Sequence, residues 1–185
     1  HDGAMVLENR RALPRAWLVA KAEAVGDEEA LRRIRGESAQ PFDPRRTALL
    51  EIEPGAHPTL SALPGGDVSA NARAQVVSHE PNRLVIETHA DHPSVLVVSE
   101  INHPGWKAVV DGVKTPIHQT DYLLRGVILP AGSHRVEMNY APLTARIGAF
   151  ISAGALALIL ALAGYARHTR YRKESDEMEA VKTNE

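Results

Sequence analysis

Residues 134–166 read HRVEMNYAPLTARIGAFISAGALALILALAGYA, and two structural patterns meet in this stretch. At its start, Val136, Met138 and Tyr140 alternate with polar or charged residues, which is typical of a strand with one buried face. Residues 147–166 then carry no charged side chain. The stretch therefore predicts that a β domain ends here and that an apolar helix follows it.

The apolar run is long enough to cross a membrane. A helix rises about 1.5 Å per residue, so residues 147–166 match the roughly 30 Å hydrocarbon core of a bilayer. The alternative is a core helix of a soluble protein, but such a helix usually carries a polar stripe, which this run lacks. We predict a transmembrane helix at residues 145–167 and the lipid bilayer as a partner.

Basic residues predict the orientation of this helix. Lysine and arginine are in excess on the cytoplasmic side of bacterial membrane proteins. The basic side chains that follow the run are Arg167, Arg170, Arg172 and Lys173. We therefore expect a cytoplasmic tail at residues 168–185, disordered over residues 174–185, and an extracytoplasmic location for residues 1–145.

The chain shows no signal peptide at its start, where it reads His1-Asp2-Gly3. We expect it to be the C-terminal part of a longer membrane protein whose earlier helices provide export. Alanine recurs every fourth residue in the apolar helix, as at Ala149 and Ala153, which favours packing against such helices. The alternative is an alanine-rich span with no specific partner.

Residues 1–54 predict a strand–helix–strand unit. Its elements are a strand at 16–20, a helix at 28–35 with Asp27 as the N-cap, and a strand at 47–52. Residues 55–66 are rich in proline and glycine and predict a linker.

Residues 67–144 contain short strands separated by turns, which predicts an extracytoplasmic β-sandwich or jelly roll. Asp111-Gly112 lies between two strand-like segments and predicts a type I′ hairpin turn. We expect the strands at residues 84–88 and 95–101 to be neighbours. The fold class is thus mainly β, with the small N-terminal unit and one C-terminal transmembrane helix.

Composition excludes several classes of function. The net charge of -2 gives no basic field for nucleic acid, and the absence of cysteine excludes disulfides and thiolate metal sites. His89 and His92 would point to opposite faces of a strand, and no zinc-protease, phosphate-loop or dinucleotide motif occurs. We predict no nucleic-acid partner, no metal, no cofactor and no catalytic residue in this chain.

The most distinctive string is His103-Pro104-Gly105-Trp106-Lys107. A flat aromatic ring with polar neighbours is typical of sugar-binding surfaces. We name Trp106 and Tyr122 as candidate glycan-stacking residues, with Glu100 and Asp111 as candidate hydroxyl partners. The alternative places Trp106 in the core, on one face with the residues two and four positions later.

The order and spacing of several strings resemble the C-terminal region of the YfhO family of bacterial multi-span membrane proteins. The resemblance covers about residues 6–166. The matching strings are Glu8-Asn9, Ala12-Leu13-Pro14-Arg15-Ala16, Phe42-Asp43-Pro44, Glu80-Pro81-Asn82-Arg83-Leu84, Pro104-Gly105-Trp106-Lys107, Asp111-Gly112, Asp121-Tyr122, Arg125-Gly126-Val127, Pro130-Ala131-Gly132, His134, Val136 and Tyr140-Ala141-Pro142. The family usually has aromatic residues where this chain has Asn102-His103.

The resemblance implies an accessory role. YfhO-type proteins are similar to GT-C-type glycosyltransferases, which take sugar from a lipid carrier and keep the catalytic carboxylate in a loop near their N-terminal helices. The resemblance implies that the chain is a non-catalytic domain and terminal helix of such an enzyme. The implied role of the parent is decoration of cell-envelope glycopolymers, with a glycan or a polyprenyl-phosphate sugar as its ligand. The alternatives are a membrane-tethered carbohydrate- or protein-binding module and a structural cap on the helix bundle.

Overall fold

The computed structural model describes residue 9, residues 12–51 and residues 63–182. The chain divides into two compact units, His1–Ala141 and Pro142–Glu185. The elements of the first unit are β1 Ala16–Val19, β2 Lys21–Ala24, α1 Asp27–Ile34, β3 Thr47–Leu50, β4 Arg73–Glu80, β5 Arg83–Ala90, β6 Ser94–Ile101, β7 Trp106–Val110, β8 Val113–Thr115, β9 His118–Thr120, β10 Leu124–Leu129 and β11 Gly132–Tyr140. The second unit contains the helix α2, Leu143–Lys182.

The strands form two sheets, which confirms the mainly β prediction. Sheet A has the order β1-β6-β10-β9-β3-β2, and sheet B has the order β4-β5-β11-β7-β8. Alternate apolar side chains of both sheets meet in one core, because successive residues of a strand point to opposite faces. Leu96 and Val127 of sheet A pack there with Ile86, Val136 and Met138 of sheet B.

Sheet A is buried on its second face as well. Trp17, Val97 and Leu50 point away from the inner core and form a second apolar cluster, to which Leu63 adds. The Trp17 indole N–H donates a hydrogen bond to the Pro44 carbonyl at 2.8 Å. Leu13, Pro44 and Leu63 therefore lie over the outer face of sheet A, which explains why β6 is a continuous apolar run rather than an alternating one.

The N-terminal strands belong to sheet A. β2 and β3 pair in parallel around α1, while β1 pairs with β6 and β3 pairs with β9. Asp27 is the first helical residue rather than the N-cap: the cap is Gly26, which makes no side-chain hydrogen bond. The acidic first turn instead favours the positive end of the helix dipole. The predicted linker at 55–66 lies outside the described residues up to residue 62.

Within residues 67–144 one expected pairing is wrong. β5 and β6 are not neighbours: β5 pairs with β4 and β11, whereas β6 pairs with β1 and β10. Both strands have an apolar inner face, and these faces pack against each other across the core instead of sharing a ladder. The hairpin prediction is confirmed, because Asp111 and Gly112 have φ values of 49° and 85° and connect the paired strands β7 and β8.

Helix α2 contains the predicted membrane span. Ile147–Tyr165 has a mean hydropathy of 2.2 and is long and apolar enough to cross a bilayer. The backbone stays helical to Lys182, so the prediction of a disordered tail is wrong for most of the tail. Residues 165–182 contain no glycine or proline and are rich in glutamate, lysine, arginine, methionine and alanine, which propagate a helix readily.

Candidate functional site

Trp106 begins β7 and packs on the inner core of the sandwich together with Ala108, as the core interpretation predicted. Its ring lies 3.9 Å from the central carbon of the Arg125 guanidinium, a cation–π contact. The Tyr140 ring lies against it with the two centroids 5.3 Å apart. A Cβ atom at Gly105 would lie 2.5 Å from the Tyr140 ring, so the tight turn before Trp106 requires glycine.

Arg125 is a buried cation at this end of the sandwich. It is 2% exposed and shares the inward face of β10 with Val127 and Leu129. Its guanidinium forms an ion pair with Glu100 of the adjacent strand β6. Burial lowers the pKa of Arg125, and the negative charge of Glu100 opposes that effect.

Glu100 connects Arg125 to the surface. One of its oxygens, Oε1, accepts a hydrogen bond from Arg15 at 2.9 Å and lies 2.9 Å from the His79 ring nitrogen Nε2. Burial disfavours the ionised form of Glu100, but the hydrogen bond from Arg15 and the charge of Arg125 outweigh burial, so its pKa is lowered. We call Arg15, His79, Glu100 and Arg125 the Arg125 cluster. It joins β6, β10 and the residue before β1 in sheet A to β4 in sheet B.

The structure brings two of the four candidate glycan residues together. Trp106 and Glu100 are linked through Arg125. The Arg125 guanidinium covers one face of the Trp106 ring and donates to Glu100 Oε2, which has no other partner among the described residues. Both Glu100 oxygens thus have cationic or histidine partners within the protein. The sequence does not predict Arg125 as a cluster member, because an isolated arginine in an apolar strand gives no sign of its partner.

Asp111 lies at the opposite end of β7. With a rise of about 3.3 Å per residue, the five residues of the strand separate it from Trp106 by roughly 16 Å. Asp111 accepts hydrogen bonds from the Arg135 backbone N–H at 2.8 Å and lies 2.6 Å from the His134 nitrogen Nδ1. These contacts lower its pKa, the Arg135 amide being the largest cause and His134 the next.

Tyr122 and Asp121 lie in the turn between β9 and β10, and both have positive φ, 74° and 47°. Tyr122 is partly exposed. Asp121 is buried: its Oδ1 accepts the Leu49 N–H at 2.8 Å, and its Oδ2 has no partner among the described residues. Burial raises the pKa of Asp121 to about 6, against the effect of the Leu49 hydrogen bond.

Two open clefts lie on sheet B. The first, of 390 Å³, has a polar lining that includes Arg73, Glu87, Asp111 and Arg135. The second, of 520 Å³, has a mainly apolar lining and borders Trp106. Among the described residues, no group of three or more His, Cys, Asp or Glu side chains is placed to hold a metal ion.

Comparison with known proteins gives one match. The family model described as bacterial membrane protein YfhO matches residues 67–152, which span β4 to β11 and the beginning of α2. No curated protein and no solved structure matches the chain. The chain is thus a membrane protein, and its residues 67–152 form a YfhO-family region.

Proposed function

We propose that the chain is the non-catalytic extracytoplasmic domain and terminal membrane helix of a GT-C-like bacterial membrane glycosyltransferase. In this arrangement residues 1–145 lie outside the cell membrane and the C-terminus lies in the cytoplasm. The observation that carries the proposal is the use of Glu100, the acid that is linked to Trp106 through Arg125. Its described partners are Arg125, Arg15 and His79, and these contacts tie the two sheets together.

Glycosyl transfer needs a carboxylate placed as a base and a cationic or metal-assisted site for the phosphate leaving group. Glu100 is linked to Trp106 through Arg125, and it is hydrogen-bonded to Arg125 and Arg15. Asp121 has the raised pKa that a base needs, but it is buried and bonded to the Leu49 backbone. Neither Glu100 nor Asp121 is therefore available as a catalytic base.

A lipid-linked donor also needs a groove for its lipid tail between membrane helices, and a single span cannot form a groove. The large apolar side chains of Ile147–Tyr165 are exposed along the helix, as at Phe150, Leu156 and Leu160. Together with the alanine repeat, this favours packing against further helices of a parent protein. The catalytic residues and the polyprenyl-phosphate sugar site would lie in those helices.

The gene sequence tests the parent protein. We expect the coding sequence upstream of residue 1 to contain many more apolar spans in the same reading frame. A single signal peptide at that position would instead favour the second candidate, a membrane-tethered binding module.

The activity test uses the full chain in lipid nanodiscs. Incubation with a polyprenyl-phosphate sugar and an acceptor polymer should release no lipid phosphate above the control without protein. The matched control is the Glu100→Gln variant, which should be equally inactive. Turnover by the wild type above the control without protein would contradict the proposal.

A further inference from the structure

The apolar cleft on sheet B lies where one side of β7 loses its partner strand. β8 pairs with β7 only from Ala108 to Val110. Trp106 and Lys107 therefore lie beside an opening, which Pro116 and Ile117 border on the far side. The cleft has a volume of 520 Å³, within the usual range of roughly 300–1,000 Å³ for small-molecule sites.

Two lysines, Lys107 and Lys114, lie at this cleft. Lys107 and Lys114 are exposed, and neither forms an ion pair within the part of the chain that the structure describes. Lys114 is paired with Val109, two residues after Lys107, so the two lysines are diagonal neighbours on one face. Such neighbours lie about 7–8 Å apart, with their Cβ atoms somewhat closer, which lets both ammonium groups reach one anionic group.

The other side chains of the cleft match a saccharide. Val109, Pro116 and Ile117 offer apolar surface for the C–H face of a sugar ring, and Trp106 borders them. Asn139, paired with Lys107 across β11 and β7, offers an amide for hydroxyl groups. Bound sugars are typically held by such a combination of apolar contact and a few polar groups.

We propose that this cleft binds an anionic saccharide, with its carboxylate or phosphate between Lys107 and Lys114 and its ring against Val109, Pro116 and Ile117. The site uses none of the Arg125 cluster, so it stands apart from the accessory role proposed above. Its test measures binding, whereas the tests of that role measure gene structure and turnover, so the two proposals can fail separately.

Binding at the cleft can be measured by nuclear magnetic resonance of the full chain in detergent micelles, through the indole N–H signal of Trp106. The sequence has two tryptophans, and Trp17→Phe identifies the indole N–H signal of Trp106. We expect saturable shifts of this signal with trigalacturonate as a carboxylated probe or with glucose 6-phosphate as a phosphorylated one. Maltotriose, the neutral probe, should produce no comparable shift at the same concentrations.

The Lys107→Gln/Lys114→Gln variant should weaken binding of the anionic probe about tenfold, because two exposed charge contacts are lost. The control is Lys21→Gln, since Lys21 is equally exposed but pairs with Glu23 on sheet A. Unchanged binding in the double variant, or equal shifts with maltotriose, would overturn the proposal. Equal shifts with inorganic phosphate and glucose 6-phosphate would overturn the recognition of a saccharide.

Discussion

Replacing Glu100 by Gln removes the carboxylate that faces the buried guanidinium of Arg125. Arg125 is 2% exposed, its Nε has no partner among the described residues, and its other described contacts are the Trp106 ring and Met138 Sδ, neither of which carries a full negative charge. Removing one partner of a buried ion pair costs about 3–5 kcal/mol, because the other charge stays buried alone. Since the Glu100 side chain is 18% exposed, we expect the lower end, about 3 kcal/mol.

The assay is urea unfolding of the full chain in detergent micelles, followed by the fluorescence of Trp17 and Trp106. The matched control is Glu137→Gln, because Glu137 also contacts two arginines, Arg83 at 3.0 Å and Arg135 at 3.2 Å, on the outer face of sheet B. Exposed pairs of this kind contribute roughly 0–1 kcal/mol.

The sign of the pH dependence adds a second readout. The pKa of Glu100 is lowered in the fold, so its contribution is present at neutral pH and is lost as pH falls through the folded value. The Glu100→Gln variant should lack this loss. Adding Arg125→Met should recover stability, since it removes the unpaired charge. Equal losses for Glu100→Gln and Glu137→Gln would refute the role of Arg125 as a buried, paired cation.

Three further changes test other parts of the structure. In the wild type, the raised pKa of Asp121 means that stability falls as pH rises from about 4 to about 6, because the ionised carboxylate is disfavoured in the fold. Asp121→Asn should remove this fall and raise stability at pH 7 by up to about 3 kcal/mol. A wild-type stability curve that is flat between about pH 4 and pH 6 would contradict the prediction. Trp106→Ala should cost roughly 3 kcal/mol in the same assay, and unchanged stability together with weaker glycan binding would make Trp106 a ligand contact instead. Gly126→Ala places a Cβ against the Thr120 hydroxyl oxygen, so we expect it to destabilise the fold by about 1–3 kcal/mol. Adding Thr120→Ala should recover part of that stability. An unchanged stability of the single variant would show that β10 shifts freely.

The local patterns of the sequence predicted much of the fold. The alternation in β11, the Asp111-Gly112 turn and the uncharged run in α2 each depend on residues close together in the chain. These features reflect backbone preferences and hydrophobic periodicity, which a short window of sequence contains. At the N-terminus the expected strand at 16–20 corresponds to β1, which pairs with β6, and the strand that pairs with β3 around α1 is β2, which was not predicted.

Long-range arrangement was less predictable. Which sheet a strand joins depends on its partners, so β5 and β6 were expected side by side but face each other across the core. Arg125 meets Glu100 only because β10 pairs with β6, and it meets Trp106 only because the two sheets pack together. Periodicity contains no signal for either contact. For the tail after the span, disorder was predicted from its polar composition. Its residues have a high helix propensity, however, and the backbone is helical to Lys182.

The central claim is that the β unit lies outside the membrane and that α2 carries the chain across it. Residues 1–185 contain no cysteine, so an introduced thiol is the only one in this region, and the protein without it is the background control. Val113→Cys lies on the exposed hairpin of the β unit, and Thr183→Cys lies after the span. Made from its own gene in intact cells, the protein should react with a membrane-impermeant maleimide at residue 113 and react at residue 183 only after the cells are permeabilised. Labelling of residue 183, but not of residue 113, in intact cells would contradict the account.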